Sequence, residues 1–171
     1  QDVNVSVTGG TRIEIKGVSS LRSIPRLVHS EALRQRSLLA IRAELLRRGV
    51  TVESVGERWH DVTQFVSGTA CNFIRRAVEN GARVGAVALP GFEGLLDVPT
   101  QSRTTFLKEF SDRVRVIACL SDLPNLVCST HVGASLSSAE WERVAKACAV
   151  SAETPVLVVW GSEGDVKTAC Q

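Results

Sequence analysis

Apolar and polar residues alternate from the start of the chain. Val3, Val5, Val7, Ile13 and Ile15 share one parity; Asp2, Asn4, Ser6, Arg12, Glu14 and Lys16 share the other. A period of two marks a strand with one buried face. The turn falls at Thr8-Gly9-Gly10. A three-residue loop there sets Val5 opposite Ile13, Val3 opposite Ile15, Asn4 opposite Glu14 and Asp2 opposite Lys16. A two-residue Gly-Gly loop would pair Val7 with Arg12 and mix the faces, so register selects the longer loop.

The period then turns helical. Ser23-Ile24-Pro25 reads as a helix start, with Ser23 as N-cap and proline in the first turn. Ile24, Leu27, Val28, Leu38, Ile41 and Leu45 follow at helical spacing, and Arg47-Arg48-Gly49 is a stop signal. The helix over 24–48 is expected to cover the apolar face of the hairpin. VTVESV at 50–55 is predicted to be a short strand, and the pattern resets around Glu57-Arg58-Trp59-His60. A domain boundary there would divide 1–57 from 58–171.

Beyond the boundary, helices and strands interleave. Helices are predicted over 69–80 (Phe73, Ile74, Ala77 and Val78 inward, Gly81 at the end) and 103–113 (Phe106, Leu107 and Phe110 inward). Ser137-Ser138-Ala139-Glu140 reads as a capping box for a helix ending near Ala149, and a last helix begins near Glu163. Strands are predicted at 84–89, 114–120 and 156–160, with a loop at 90–96. The expected fold is α+β: the hairpin and long helix, then an α/β sandwich of one small sheet with packed helices.

Composition changes this picture in three ways. The 171 residues are 44% hydrophobic, enough for a real core. No apolar run approaches a transmembrane length, no secretory signal is visible, and the chain lacks methionine even at its first position. A cytoplasmic piece of a longer chain is expected. Net charge is only +2, yet residues 11–49 alone carry nine basic and three acidic side chains. Arg outnumbers Lys sixteen to four, which suits phosphate contacts or, equally, a solvated helix face.

The hairpin's polar face is the first chemical candidate. Carboxylates on neighbouring strands lie close enough to share a Mg²⁺ ion, which takes one or two protein carboxylates plus water and substrate phosphates. The plain alternative is a solvated face balanced by Asp2–Lys16 and Glu14–Arg12 pairs. Pro90-Gly91-Phe92-Glu93-Gly94 matches no phosphate loop and reads as a tight turn around a buried Phe92, or as a ligand contact. His29, His60 and His131 stand in no metal or triad spacing. Cys71, Cys119, Cys128, Cys148 and Cys170 form no zinc-type cluster and read as reduced, buried thiols, with Cys128 the one off a clear apolar face.

These residues resemble a known family. Asp2-Val3-Asn4-Val5-Ser6 and Ile13-Glu14-Ile15-Lys16-Gly17, followed by an Arg- and Leu-rich helix and LLRRGV, are similar to the catalytic cradle of the B and E subunits of tRNA-dependent amidotransferases. DVTQFVSGTACNFIRRAVENGARVGAVALPGFEGLL resembles the GAD insertion that the E subunits share with bacterial-type aspartyl-tRNA synthetases. Cradle plus GAD insertion points to the GatE branch of the GatB/GatE family, with 58–171 as a GAD-like domain. The family's acidic, proline-containing stretch is replaced by Cys128-Ser129-Thr130-His131-Val132-Gly133-Ala134, so no acidic role is carried over there.

The resemblance implies a ligase reaction that uses ATP and Mg²⁺. The γ-carboxylate of glutamate misacylated on tRNA(Gln) is phosphorylated, then ammonia from an asparaginase-like amidohydrolase partner displaces the phosphate. It implies Asp2 and Glu14 as metal ligands, Asn4 and Lys16 as further catalytic residues, and a hetero-oligomer with no membrane role. Arg75, Arg76 and Arg83, with the 22–48 helix, are the expected tRNA contacts. The family's other metal residues lie on a Gly-Leu-Glu-(Ile/Val)-His strand absent here, so this chain alone is expected to be inactive. A non-catalytic tRNA-binding or assembly module, or a GAD-containing synthetase relative, is the alternative.

Overall fold

The computed structural model describes residues 1–55, 59–120, 124–131 and 135–171. In chain order the elements are β1 (Val3–Val5), β2 (Ile13–Ile15), α1 (Ile24–Arg47), α2 (Val52–Val55), β3 (Trp59–Asp61), α3 (Thr63–Val66), α4 (Asn72–Glu79), β4 (Arg83–Ala88), β5 (Pro99–Gln101), β6 (Thr104–Thr105), α5 (Phe106–Ile117), β7 (Leu126–Cys128), α6 (Ser138–Ala147), β8 (Val156–Gly161) and α7 (Glu163–Ala169). The fold is α+β, and every strand pairing among the described residues is antiparallel. Two compact units result: Gln1–Gly49 with Gly94–Glu109, and Val50–Glu93 with Phe110–Gln171. The expected boundary residues Glu57 and Arg58 lie outside the described residues.

In the first unit the hairpin register follows from parity. Val3 faces Ile15, Asn4 faces Glu14 and Val5 faces Ile13. Val5 is 5% exposed, and α1 packs against β1 and β5; of the expected apolar stripe only Ile41 is buried, Val28 is 37% exposed, and Glu31 and Gln35 are the other buried positions of the helix. Ser23 takes the N-cap position of α1 as expected but makes no side-chain capping bond; its hydroxyl donates instead to the Ser20 carbonyl at 2.6 Å, within a 3-10 turn over Leu21–Ser23. Gly49, at φ +73°, ends the helix as a left-handed residue.

In the second unit the sheet order is β3-β4-β8-β7. One face sets Val84, Ala86, Val156, Val158 and Trp160 against Val62, Val66, Ile74 and Val144. The other face receives α7: a Cβ on Gly85 would lie 2.5 Å from Val166 Cγ1 and 3.0 Å from Cys170 Sγ, so only glycine lets the helix settle there. β4 and β8 are therefore buried on both sides, which is why they read as continuous apolar runs.

Two predicted strands are helical. The strand expected at 50–55 is α2, because Thr51 and Ser54 cap each other: Ser54 N–H donates to Thr51 Oγ1 at 3.2 Å, and Thr51 N–H to Ser54 Oγ at 2.9 Å. The strand expected at 114–120 continues α5, with Ala118 N–H bonded to the Val114 carbonyl at 2.9 Å. Cys119, at φ 53°, stands where glycine usually ends a helix, and Leu120 N–H closes the motif on the Arg115 carbonyl at 3.0 Å. Val116 and Ile117 are consequently exposed, and so is Cys119, against the expectation that the thiols are buried. Phe73, expected inward, is 44% exposed on α4, while Ile74 is fully buried. The capping box at Ser137 and Glu140 forms as the motif dictates.

Candidate active site on the hairpin

The antiparallel register puts residues whose numbers sum to eighteen opposite one another, so even-numbered side chains on both strands project to the same side. Asp2, Asn4, Ser6, Arg12, Glu14 and Lys16 are all exposed there. Asn4 stands directly across from Glu14. At the open end the register slips by one. Gln1 and Val18 exchange backbone bonds, leaving Gly17 as an extra residue at φ +70°, the geometry of a glycine bulge. Its freed amide donates to Asp2 Oδ1 at 3.3 Å, which turns that carboxylate toward β2. Lys16 Nζ lies 3.4 Å from Glu14 Oε2 on its own strand, so the lysine pairs with Glu14 rather than with Asp2.

This donor set is hard oxygen with a cation alongside. Two carboxylates and a carboxamide on one solvent-facing ribbon suit a Mg²⁺ ion that keeps several waters and shares phosphate oxygens with a substrate. Among the described residues no group of three or more His, Cys, Asp or Glu side chains forms a closed metal site.

Beneath the ribbon lies a polar relay that hydrophobic periodicity does not reveal. Gln35 is 6% exposed, yet it sits on the face of α1 that packs on β1. Its Oε1 accepts the Val7 N–H at 3.1 Å, and its Nε2 donates to the Val5 carbonyl at 3.1 Å and to Glu31 Oε1 at 2.9 Å. Arg34 clasps Glu31 with Nε at 2.8 Å and Nη2 at 3.0 Å, then extends Nη1 to Glu109 Oε2 at 3.1 Å. Glu109 Oε1 accepts the Thr100 hydroxyl at 2.8 Å and the Gln101 amide at 3.3 Å. Burial alone would raise the Glu31 pKa. Hydrogen bonds from Arg34 and Gln35 and the charge of Arg34 outweigh it, so the carboxyl titrates below its ordinary value. The available signal was the run Glu31, Arg34, Gln35 at helical spacing on the same face as Ile41.

The arginines divide into paired and unpaired. Arg47 and Arg48 both bind Glu44, holding that partly exposed carboxyl down at about 2. Arg22, Arg26, Arg36 and Arg42 are exposed and carry no ion pair among the described residues. On the second unit Arg75 leans on Asn72 at 2.7 Å, and Arg83 on Asp61 at 3.6 Å; Arg75, Arg76 and Arg83 are all exposed. Phe92 is buried and Gly91 and Gly94 have positive φ, so the 90–94 loop is the tight turn that its glycines allow. Val132, Gly133 and Ala134 of the substituted acidic stretch lie outside the described residues. Among the described residues no helix is long and apolar enough to cross a membrane.

Comparison with known proteins places these features in a family. The profile of the GatB/GatE catalytic domain matches residues 1–118. The chain is 38% identical over 173 aligned residues to the E subunit of glutamyl-tRNA(Gln) amidotransferase from Pyrococcus horikoshii, covering 99% of this chain and 26% of that protein. Identity is 38% over 171 residues to the E subunit from Pyrobaculum arsenaticum, covering 100% of this chain and 27% of that one. It rises to 46% over 115 residues with the E subunit from Pyrobaculum calidifontis, across 67% of this chain and 19% of that one. The chain thus spans about a quarter of the length of these relatives.

Proposed function

The chain belongs to the GatB/GatE family and is similar along its whole length to the E subunits, and from that premise we propose that it is the part of an amidotransferase subunit that carries the phosphate-handling ribbon. The parent protein converts Glu-tRNA(Gln) to Gln-tRNA(Gln) in the cytoplasm. ATP phosphorylates the glutamyl γ-carboxylate, and ammonia from a partner amidohydrolase displaces phosphate. Phosphoryl transfer demands positioning and charge neutralisation more than covalent chemistry. Mg²⁺, when bound, neutralises the phosphate oxygens.

Each residue of the ribbon has a part in that reading. Asp2 and Glu14 supply metal oxygens. Asn4, across from Glu14, orients a substrate or water oxygen. Lys16, which rests on Glu14 at 3.4 Å, would pair with a carboxylate or phosphate of the substrate. The second unit, Val50–Glu93 with Phe110–Gln171, acts as a GAD-type binding and spacing module, with Arg75, Arg76 and Arg83 and the unpaired arginines of the 22–48 segment meeting tRNA phosphates. The single observation that supports the catalytic reading is the register that brings Asp2, Asn4, Glu14 and Lys16 to one exposed face.

The test is ATP-dependent amidation of Glu-tRNA(Gln) by the full-length protein with its ammonia-supplying partner. Asp2→Asn and Glu14→Gln are each expected to slow it by about a hundredfold or more, the scale of losing one preorganised electrostatic group. Wild-type rates in both variants would leave the hairpin a structural ribbon in a tRNA-binding module.

A further inference from the structure

We propose that Gln35 is a positioning residue for the ribbon's polar face: its carboxamide fixes the backbone on either side of Ser6 and so sets where Asn4, Ser6 and, across the strand, Glu14 stand. The inference rests on the reading of that face as a magnesium and phosphate site.

β1 ends at Val5, so the ladder to β2 stops just where the strand still carries a polar-face residue, Ser6. Gln35 takes over from the ladder. The Val5 carbonyl precedes the residue 6 amide and the Val7 N–H follows residue 6; the same carboxamide holds both. A buried apolar side chain of similar volume would fill the space yet leave a carbonyl and an N–H without partners.

The carboxamide itself has no freedom to turn. Its Nε2 also donates to Glu31, and Glu31 is clasped by Arg34, which Glu109 holds in turn. That bond to a carboxylate fixes which end of the amide is nitrogen. The turn has been fitted to it: a Cβ on Gly10 would stand 2.6 Å from Gln35 Oε1. Gly10 has no positive φ, so its requirement is space, first for the carboxamide and then for Val7, whose Cγ2 and carbonyl oxygen would lie 3.1 and 3.2 Å from that Cβ.

The experiment uses the full-length protein in complex with its ammonia-supplying partner, at a temperature where circular dichroism shows every variant folded. Mg²⁺ affinity by titration calorimetry without tRNA or ATP, the half-saturating Mg²⁺ concentration, kcat, and KM for Glu-tRNA are measured for Gln35→Met, Gly10→Ala and Asp2→Asn. Gln35→Met is expected to raise the Mg²⁺ requirement by about tenfold or more and to lower kcat, as loss of a ligand-orienting hydrogen bond does, with KM for Glu-tRNA unchanged. Gly10→Ala keeps the carboxamide but pushes on it, and is expected to shift Mg²⁺ in the same direction by less. A folded Gln35→Met with wild-type kcat and Mg²⁺ requirement overturns the proposal, however far its melting temperature falls. Should Gln35→Met not fold, Gly10→Ala decides: an unchanged Mg²⁺ requirement overturns the proposal and a raised one supports it. Asp2→Asn separates the two failures. If it shifts the Mg²⁺ requirement and the Gln35 and Gly10 variants do not, the positioning role alone falls; if it too has no effect, the reading of the face falls with it.

Discussion

Asp2 Oδ1 accepts the amide hydrogen of Gly17 at 3.3 Å, and Gly17 holds that amide in place by standing at φ +70°. The carboxylate at one end of the ribbon is thus oriented by a backbone group that only a left-handed residue presents. Nothing lies within 4 Å of where a Gly17 Cβ would be, so substitution there meets no steric obstacle. Gly17→Ala should cost about 1–2 kcal/mol of local stability, from conformation alone. Because the strain is relieved by swinging the amide away from Asp2, the full-length variant should also need more Mg²⁺ for amidation. Hydrogen exchange at Val18 and the Mg²⁺ titration measure the two effects separately.

The clasp between Glu31 and Arg34 is mostly buried, at 10% and 24% side-chain exposure. Removing one partner of such a pair strands the other, so Arg34→Met should cost the first unit about 3 kcal/mol. All three tryptophans (Trp59, Trp141 and Trp160) lie in the second unit, so fluorescence does not report this change. Hydrogen exchange along α1 does.

The same pair sets an acid limit. Glu31 titrates below 4.5 in the folded chain, so its stabilisation is complete above 4.5 and drains as pH falls through the lower folded value. Exchange protection in α1 should hold steady from neutral pH down to about 4.5, then fall until the lower folded value is passed. Molar salt should change it less than it changes the Glu44–Arg47 pair, whose arginine is 72% exposed against 24% for Arg34. Arg34→Met should shrink the acid step to what Gln35 on Glu31 and the Glu44 pairs still contribute.

Parity alone locates the ribbon's two faces, because a buried side forces every odd residue inward and one slip of register would expose them all. Its support is harder to see. Glu31 and Gln35 read as polar positions, and hydrophobic periodicity sends polar positions to solvent; Gln35 finds its backbone partners in the hairpin brought over α1, and Glu31 finds its partners in Gln35 and Arg34. The 114–120 run misleads for a related reason. Seven residues rich in Val, Ile and Leu fit a strand or a helix equally, and the arbiter is Cys119, which adopts the left-handed conformation without being glycine. β3, β5, β6 and β7, of two or three residues each, carry too few alternations to register as a period.

Phe73 and Ile74 are neighbours with opposite surroundings, 44% and 0% exposed. Helical spacing admits either as the inward residue, and the sheet chooses Ile74. Ile74→Ala should therefore destabilise the second unit by about 2–5 kcal/mol through transfer and cavity terms together, whereas Phe73→Ala should change it by about 0.5 kcal/mol or less. The three tryptophans of that unit make fluorescence-detected urea unfolding the natural measurement. Comparable losses in the two variants would mean that α4 is rotated from the orientation seen here.

The five free cysteines differ in access to solvent. Cys71, Cys128, Cys148 and Cys170 are buried, and burial pushes the Cys148 thiol up to about 11 and the Cys170 thiol, with Cys148 near it, up to about 12. Thiolate is the reactive form, so at pH 8 neither should react with iodoacetamide until the second unit unfolds. Cys119 is exposed at the end of α5 and should take up one equivalent in the native chain. It also bears the cost of a left-handed conformation at a position where glycine has none. Cys119→Gly should accordingly abolish native labelling while raising the stability of the second unit by about 1 kcal/mol, read from the same tryptophan-detected unfolding. A loss of stability instead would show that the cysteine side chain contributes packing that outweighs its backbone strain.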